Sequence, residues 1–246
     1  MSTTSDVMAS RADVVILAGG KGKRLHPHTI RVPKPMMPIG DTSVVEILLQ
    51  QLRRQGFQRV TLALSHLGDL IEEACGDGSR FGLELCYSRE PAPLSTAGPL
   101  ELVDRTGRPL LVVNGDVLTD LDFRRVLDFH RQRGADATVT VQELRTELDF
   151  GVVEVGEEGE LLGYVEKPVH GHIVSIGVNV FEPEVIDSIE PGEVLSMPEL
   201  IMRLRREGKK VFVYEASCLW QDIGRPEHYE RALELFRRNT AAFLAP

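Results

Sequence analysis

The chain has 246 residues, 42% hydrophobic and 26% charged, so it can bury one large core or two unequal lobes. Its formal net charge of −9 argues against partners such as nucleic acids or anionic membrane surfaces, because these are bound by basic faces. Three cysteines without C-x-x-C spacing indicate neither a disulfide framework nor a zinc site, and no apolar run approaches the roughly 18 residues of a membrane span.

The chain begins with a polar stretch. Residues 1–12 lack an apolar core, so we expect a disordered tail and not a signal peptide, in keeping with a cytoplasmic protein. The run from Val14 to Ala18 then predicts a fully buried strand. It leads into Gly19, Gly20 and Gly22, which allow a ligand to approach the backbone closely. No acid occurs between Asp13 and Asp41, whereas five cations do: Lys21, Lys23, Arg24, Arg31 and Lys34.

This combination of backbone N–H donors and cations is what a polyphosphate needs. Two familiar phosphate motifs are excluded. Leu25 occupies the position of the last glycine of G-x-G-x-x-G, and Arg24 stands where a Walker A motif requires Ser or Thr. An ordinary strand-to-helix loop with scattered surface cations is the alternative, but the coincidence of glycines, cations and missing acids favours a phosphate site.

Strands and helices alternate from residue 14 to about residue 145, which predicts an α/β fold with a doubly wound, mostly parallel sheet. In this part we predict strands at 59–65, 83–88 and 110–113 and helices at 43–55, 68–74, 96–103 and 122–133. Strands dominate afterwards, at 137–141, 151–155, 161–165, 173–181 and 210–214, with helices at 183–189, 197–207 and 226–238. We expect one domain over residues 13–240, with a nucleotide-binding half (about 13–145) and a smaller mixed-sheet half (146–240) for the second substrate.

Two aspartates follow predicted strands. Asp116 lies just past the strand 110–113, where open α/β sheets bind ligands, and a carboxylate there suits Mg²⁺. Taken alone, Asp116 fits better as part of a turn-forming Gly-Asp pair on the surface. Asp222 lies in Leu219-Trp-Gln-Asp-Ile-Gly-Arg-Pro226, again between a strand and a helix. Asp120 and Asp122 could mimic the D-x-D of glycosyltransferases, although helix capping by Asp122 fits better. The histidines form near-pairs with no evident third ligand: His26, His28, His170 and His172.

Several segments together resemble a known family. Leu17-Ala-Gly-Gly-Lys-Gly-Lys-Arg-Leu25, followed by Lys34-Pro35, is similar to the signature L-x-G-G-x-G-[TS]-R-L and K-P of the sugar-1-phosphate nucleotidyltransferases. Further family-like segments follow in the family's order, at residues 93–98, 114–117, 149–154, 166–168 and 219–226. Lys23 and Ser95 depart from the pattern, since the family has Thr or Ser and Gly there. The resemblance implies a Rossmann-like, GT-A-like fold and transfer of a nucleoside monophosphate from an NTP to a sugar 1-phosphate.

The resemblance also implies roles for individual residues. It gives catalysis to Arg24, Lys34 and Lys167, with Lys167 as the contact of the sugar phosphate, and Mg²⁺ binding to Asp116 and Asp222. Sugar binding falls to Gly151, Glu166 and Asn179. Nucleotide binding falls to residues of the glycine turn, the 93–98 segment and the strand end before Asp116, namely Leu17, Ala18, Gly19, Gly20, Gly22, Lys23, Thr96, Ala97, Gly98 and Asn114. The expected partners are an NTP and a sugar 1-phosphate, and the resemblance is compatible with a homo-oligomer.

The base and the sugar are less sharply indicated. The amino-acid sequence of the 93–98 segment and the length of the chain most resemble those of guanylyltransferases that act on mannose or heptose 1-phosphates. Uridylyl- and thymidylyltransferases acting on glucose-type sugar 1-phosphates share most of the motifs and are the alternative. A regulatory subunit that senses nucleotide sugars without turnover is another, but such members tend to lose the signature Arg, the Lys of K-P or a metal aspartate. All four of these residues are present here: Arg24, Lys34, Asp116 and Asp222.

Overall fold

A computed structural model describes residues 12–244. The strands of this part of the chain are β1 (Asp13–Leu17), β2 (Pro38–Ile39), β3 (Thr42–Ser43), β4 (Arg59–Leu64), β5 (Glu84–Arg89), β6 (Leu110–Asn114), β7 (Val117–Thr119), β8 (Ala137–Glu147), β9 (Val152–Val155), β10 (Leu161–Val165), β11 (Val169–Phe181), β12 (Val211–Glu215) and β13 (Trp220–Asp222). The α-helices are α1 (Val44–Arg54), α2 (Gly68–Cys75), α3 (Phe123–Arg133), α4 (Pro183–Asp187), α5 (Met197–Arg206), α6 (Pro226–Arg238) and α7 (Thr240–Leu244).

Seven strands form the central sheet in the order β12-β8-β11-β6-β1-β4-β5. All neighbours pair in parallel except β11, which runs antiparallel to both β6 and β8. The predicted α/β fold with a mostly parallel sheet is therefore confirmed. Strands from the second half of the chain (β8, β11 and β12) extend this sheet, whereas β9 and β10 form a separate two-stranded ribbon.

Both faces of the sheet are covered, because successive strand side chains point to opposite sides. In β1, Val14 and Ile16 join one core cluster and Val15 joins the other. The first cluster contains apolar residues of α1, α2 and α3, and the second contains those of α4 and α5. A third cluster packs α6 and α7 against Leu25 and Ile39, which fixes the segment that follows the glycine turn.

The differences from the predicted elements are local. The segment predicted as a helix over 96–103 is a 3₁₀ helix at Gly98–Leu102. β8 and β11 are longer than the predicted strands 137–141 and 173–181, and their extra residues pair with each other beyond the sheet. The predicted tail lies outside the described residues except for Ala12, which is buried.

Two findings concern the exclusions made from composition. None of the helices in residues 12–244 combines the length and the apolar character that crossing a bilayer requires. Cys75, Cys86 and Cys218 are free thiols, and burial raises the pKa of the Cys75 thiol to about 11.

Candidate active site

The site forms where the chain leaves β1 and β6, which are neighbours in the sheet. β4 lies on the other side of β1, so the strand order reverses here, and open α/β sheets bind ligands at such a point. The Gly115 N–H donates to the carbonyl of Leu17 over 2.9 Å. A Cβ on Gly115 would lie only 2.8 Å from that carbonyl oxygen, so glycine allows the two strand ends to meet.

A first pocket of about 310 Å³ opens beside these strand ends. Seven of the predicted site residues line it: Leu17, Gly19, Gly20, Lys34, Thr96, Asn114 and Asp116. Lys21, predicted only as one of the cations of the segment, also lines this pocket, together with Ser65 and Glu90, which no motif indicated. Glycine, lysine and apolar side chains thus surround one cavity beside the strand ends.

Five predicted nucleotide-binding residues lie outside this lining. Ala18, Ala97 and Gly98 are buried. The N–H groups of Ala97 and Gly98 donate to the carbonyl of Leu195, and a Cβ on Gly98 would meet the Glu193 carbonyl at 2.3 Å, so they hold the pocket wall to the chain before α5.

The other two belong to the turn after β1. Gly22 has φ +60, and its carbonyl accepts a hydrogen bond from the Thr29 hydroxyl over 2.7 Å. Lys23 starts the 3₁₀ turn Lys23–Leu25 and is exposed. Gly22 and Lys23 therefore fix the conformation of the loop that follows β1, and they do not line the pocket.

Asp116 and Asp222 come together although 105 positions separate them in the numbering. β13 pairs antiparallel with β7, and the Ile223 N–H donates to the Asp116 carbonyl over 2.9 Å. Burial, and then the negative charge of Asp116, raise the pKa of the Asp222 carboxyl. Lys34 and the His228 ring act in the opposite direction. The two carboxylates are thus close enough to repel each other.

Basic side chains lie next to both carboxylates. Lys34, whose side chain is 11% exposed, forms an ion pair with Asp116. His228 Nδ1 lies 3.5 Å from Asp222 Oδ2. A Cβ on Gly224 would be 2.5 Å from Asp222 Oδ2 and 3.8 Å from Arg24 Nη2, which places the Arg24 guanidinium on the Asp222 side of the site.

The donor set fits a hard divalent cation. Two carboxylates sharing one end of the sheet suit Mg²⁺, which is usually held by one or two carboxylates together with water and substrate phosphates. Among the described residues no group of three or more His, Cys, Asp or Glu could hold a metal ion. Asp116 and Asp222 could therefore supply only part of a coordination shell, and phosphate oxygens and water would supply the rest.

A second pocket of about 380 Å³ lies on the other side of Asn114, which lines both cavities. Its wall combines an aromatic ring, several polar side chains and a cation: Trp220, Gln142, Glu143, Ser175, Gln221, Asp222, His228 and Arg231. Gly177 also lines it, with φ +76, and a Cβ there would be 2.7 Å from Asn114 Nδ2. The Trp220 ring is fixed because its Nε1 donates to the Ile176 carbonyl over 3.0 Å.

The structure does not bring the predicted sugar-binding residues to this pocket. Gly151, Glu166 and Lys167 lie on or next to the β9–β10 ribbon, and they line neither cavity. Gly151 packs against the Tyr164 ring, whose hydroxyl donates to Glu166 over 3.3 Å. Asn179 is 2% exposed inside the sheet, where it pairs with Val112, and it lines neither pocket.

Some of the residues that line the second pocket could have been found from the sequence, and others carried no motif. Trp220 and Gly177 stand in segments already singled out, at two residues from Asp222 and Asn179 respectively. His228 and Arg231 had no motif, but their i, i+3 spacing places them on one face of α6. The two carboxylates of the D-x-D alternative, Asp120 and Asp122, both form structural hydrogen bonds. Asp122 caps α3 by accepting from the Arg124 N–H, and Asp120 accepts from the Leu219 N–H over 2.8 Å.

Comparison with known proteins places this geometry in context. The family model described as nucleotidyl transferase matches residues 13–239. A UTP–glucose-1-phosphate uridylyltransferase of Synechocystis sp. is 35% identical over 239 residues, covering 89% of this chain and 62% of the relative. A mannose-1-phosphate guanylyltransferase of Mycobacterium tuberculosis is 35% identical over 227 residues, covering 90% of this chain and 63% of the relative. The chain therefore spans somewhat less than two thirds of the length of these relatives.

A solved structure agrees over nearly its whole length. HddC from Yersinia pseudotuberculosis superposes with a TM-score of 0.71 at 26% identity, covering 92% of this chain and 99% of the other. The same protein has been solved complexed with GMP-PN, and that structure also gives a TM-score of 0.71.

Proposed function

The chain belongs to the nucleotidyl transferase family, and we propose that it transfers a nucleoside monophosphate from a nucleoside triphosphate to a sugar 1-phosphate, with release of pyrophosphate. One observation carries this proposal. Two pockets open on the two sides of Asn114, and Asp116 lines one while Asp222 lines the other. This arrangement suits two phosphorylated substrates that react with each other beside a pair of carboxylates.

The reaction needs little chemistry from the side chains. An ionised oxygen of the sugar phosphate attacks the α-phosphorus of the triphosphate and forms a new P–O bond. The bond from the α-phosphorus to the bridging oxygen breaks, and pyrophosphate leaves with that electron pair. The nucleophile is already ionised, so no general base is required. Catalysis consists of alignment and of charge neutralisation in the transition state.

The first pocket receives the triphosphate. Backbone N–H groups at Gly19 and Gly20, with the Lys21 and Lys34 ammonium groups, surround its phosphates, and Arg24 adds charge from the Asp222 side. Asp116 and Asp222 would hold Mg²⁺, which would supply positive charge beside the phosphates. Lys34 neutralises Asp116 through their ion pair, so it keeps that carboxylate oriented in the free protein.

The second pocket receives the sugar 1-phosphate. The Trp220 ring offers a face for the sugar, and Gln142 and Ser175 offer hydrogen bonds to hydroxyl groups. Arg231 is the one Lys or Arg among the described residues that line this pocket, and no described residue forms an ion pair with it. Since Lys167 lies outside the lining, Arg231 is the cation that holds the acceptor phosphate.

Guanine is the base we propose, with a mannose-type sugar 1-phosphate as acceptor. The mannose-1-phosphate guanylyltransferase relative and the HddC complex with GMP-PN support guanine. The equally similar UTP–glucose-1-phosphate uridylyltransferase supports the alternative of a uridylyl donor with glucose 1-phosphate.

The test is direct. The purified chain is incubated with Mg²⁺, each NTP and a panel of sugar 1-phosphates, and pyrophosphate release is measured together with formation of the nucleotide sugar. We expect turnover to be fastest with GTP and mannose 1-phosphate. Faster turnover with UTP or dTTP would support the proposed nucleotidyl transfer but contradict the proposal that guanine is the base. Absence of pyrophosphate with every pair, combined with tight binding of a nucleotide sugar, would reject catalysis in favour of a sensor.

A further inference from the structure

Two glutamines line the second pocket, and one end of each side-chain amide is bound to a partner. Gln142 Oε1 accepts a hydrogen bond from Cys218 Sγ over 3.5 Å, and Cys218 does not line the pocket. Gln221 Nε2 donates to the main-chain carbonyl of Asp222 over 2.9 Å. Gln142 Nε2 and Gln221 Oε1 form no hydrogen bond with any described residue. The two amides therefore offer different free atoms to a ligand, a donor on Gln142 and an acceptor on Gln221.

The fold places Cys218 between two strands. β13 pairs with β7, which brings Cys218 beside the Thr119 side chain. On the other side, the Ala216 N–H donates to the Val141 carbonyl over 2.8 Å and holds the chain before β13 against β8. Gln142 is the first residue of β8 that is not buried. Its side chain can therefore reach both the thiol behind it and the pocket in front of it.

A series of hydrogen bonds fixes the direction of the Gln142 amide. The Leu121 N–H, which can only donate, donates to Thr119 Oγ1 over 3.1 Å. The Thr119 hydroxyl then directs its hydrogen to Cys218 Sγ at 3.7 Å, and the thiol donates to Gln142 Oε1. Burial raises the pKa of the Cys218 thiol, so the thiol keeps the proton that it donates. A thiol is a weak donor, but every bond of the series runs in the same direction.

We propose that Gln142 and Gln221 bind hydroxyl groups of the acceptor sugar with opposite polarity, and that Cys218 is the positioning residue that turns the Gln142 –NH₂ group toward the sugar. The inference rests on the proposed function of the second pocket as the acceptor site. A hydroxyl beside Gln142 accepts through a lone pair, whereas a hydroxyl beside Gln221 donates its hydrogen. The pocket therefore selects sugars with a free hydroxyl at both places, because an analogue without one leaves a polar group of the site unpaired.

Analogues of the acceptor test this polarity. In mannose 1-phosphate, or in glucose 1-phosphate if that binds more tightly, one hydroxyl at a time is replaced by hydrogen or by fluorine, which accepts a hydrogen bond weakly and cannot donate one. Binding is measured by calorimetry with Mg²⁺ and the α,β-methylene analogue of GTP or UTP, so no turnover is needed. At the position beside Gln142 we expect hydrogen to weaken binding about fivefold and fluorine to restore part of the loss. At the position beside Gln221 we expect both replacements to weaken binding about fivefold.

Protein variants test the two roles. Gln142→Leu should weaken binding of the unmodified sugar 1-phosphate about fivefold and should abolish the effect of the hydrogen replacement at one position only. Cys218→Ala should reduce that fivefold effect to about twofold, whereas Cys218→Ser keeps a donor and should preserve it. Cys86→Ala is the matched control, since Cys86 is a free thiol that lines neither pocket. Its binding of every analogue should equal that of the wild-type chain.

The outcomes that contradict the inference differ from those that contradict the proposed function. A wild-type chain that binds neither mannose 1-phosphate nor glucose 1-phosphate would reject the second pocket as the acceptor site, and this inference with it. Tight binding without any position whose effect depends on Gln142 would overturn the inference alone, as would fluorine that restores binding at every position. An equal loss for all analogues in Cys218→Ala would show that the thiol only supports the fold.

Discussion

Arg231→Ala is the perturbation that most directly tests where the acceptor phosphate lies. The side chain lines the second pocket one helical turn from His228, whose ring is 3.5 Å from Asp222. A hydrogen bond to a charged group contributes roughly 1.5–3 kcal/mol, and the exposure of Arg231 places it at the lower end of that range. A loss of about 1.4 kcal/mol is tenfold in affinity. We therefore expect the KM for the sugar 1-phosphate to rise about tenfold.

The expected signature separates binding from chemistry. Arg231 holds a phosphate that is charged in both the ground state and the transition state, so its loss removes uniform binding. We expect kcat to stay within about twofold and the KM for the NTP to stay unchanged. The assay is steady-state pyrophosphate release with the sugar 1-phosphate varied at saturating NTP. Arg237→Ala is the control, since Arg237 lies on the same helix, pairs with Glu234 and lines neither pocket.

Lys167→Ala belongs in the same experiment, because the family pattern gives that residue the same task. If Arg231→Ala leaves the KM unchanged while Lys167→Ala raises it tenfold, the assignment to Arg231 is wrong. The acceptor would then be held by Lys167, which follows the β9–β10 ribbon, and this ribbon would have to lie over the second pocket when substrate binds.

Three further substitutions probe the rest of the site. Asp116→Asn should lower kcat by about a hundredfold or more with Tm little changed, and near-normal turnover would remove Asp116 from the mechanism. Asp222→Asn should stabilise the metal-free protein at neutral pH and so raise its Tm; the gain in free energy of unfolding should be less than about 1 kcal/mol, because the carboxylate is about one third exposed and screened. The pKa of Asp222 is raised in the fold, so its ionised form destabilises the fold above that pKa; the gain should vanish as the pH falls through it. Ser95→Gly should raise Tm by about 2–4 °C, since Ser95 has φ +69 and a left-handed residue with a Cβ costs roughly 1 kcal/mol. An unchanged thermal scan would show that Ser95 is not strained.

Local patterns predicted the elements whose causes are local. Helix α6 matches the predicted 226–238, because apolar residues recur at helical spacing after a proline at its first position. Asp122 caps α3 as predicted, since capping depends only on residues within one turn. The buried strands β1, β4 and β6 follow from short apolar runs. The signature segments likewise predicted that Lys34, Asp116 and the glycine turn would share one pocket.

Features that depend on pairing between residues far apart in the chain could not be predicted from the sequence. The short strands β7 and β13 carry no periodic signal, yet their pairing is what joins Asp116 to Asp222. Asn179 was placed by analogy at the pocket, but its register opposite Val112 puts it in the middle of the sheet. The helix predicted over 96–103 is a 3₁₀ helix instead, held by hydrogen bonds from Ala97 and Gly98 to Leu195, a partner nearly 100 residues away.

The unfavourable features of the fold coincide with the proposed chemistry. Burial and the charge of Asp116 raise the pKa of the Asp222 carboxyl, while Lys34 and the His228 ring, 3.5 Å away, act in the opposite direction. Ser95 holds a left-handed conformation in the wall of the first pocket. Residues that serve only stability would not be arranged in this way. A bound divalent cation would relieve the repulsion between the two carboxylates, so Mg²⁺ should raise the Tm of the wild-type chain and should do so much less for Asp222→Asn.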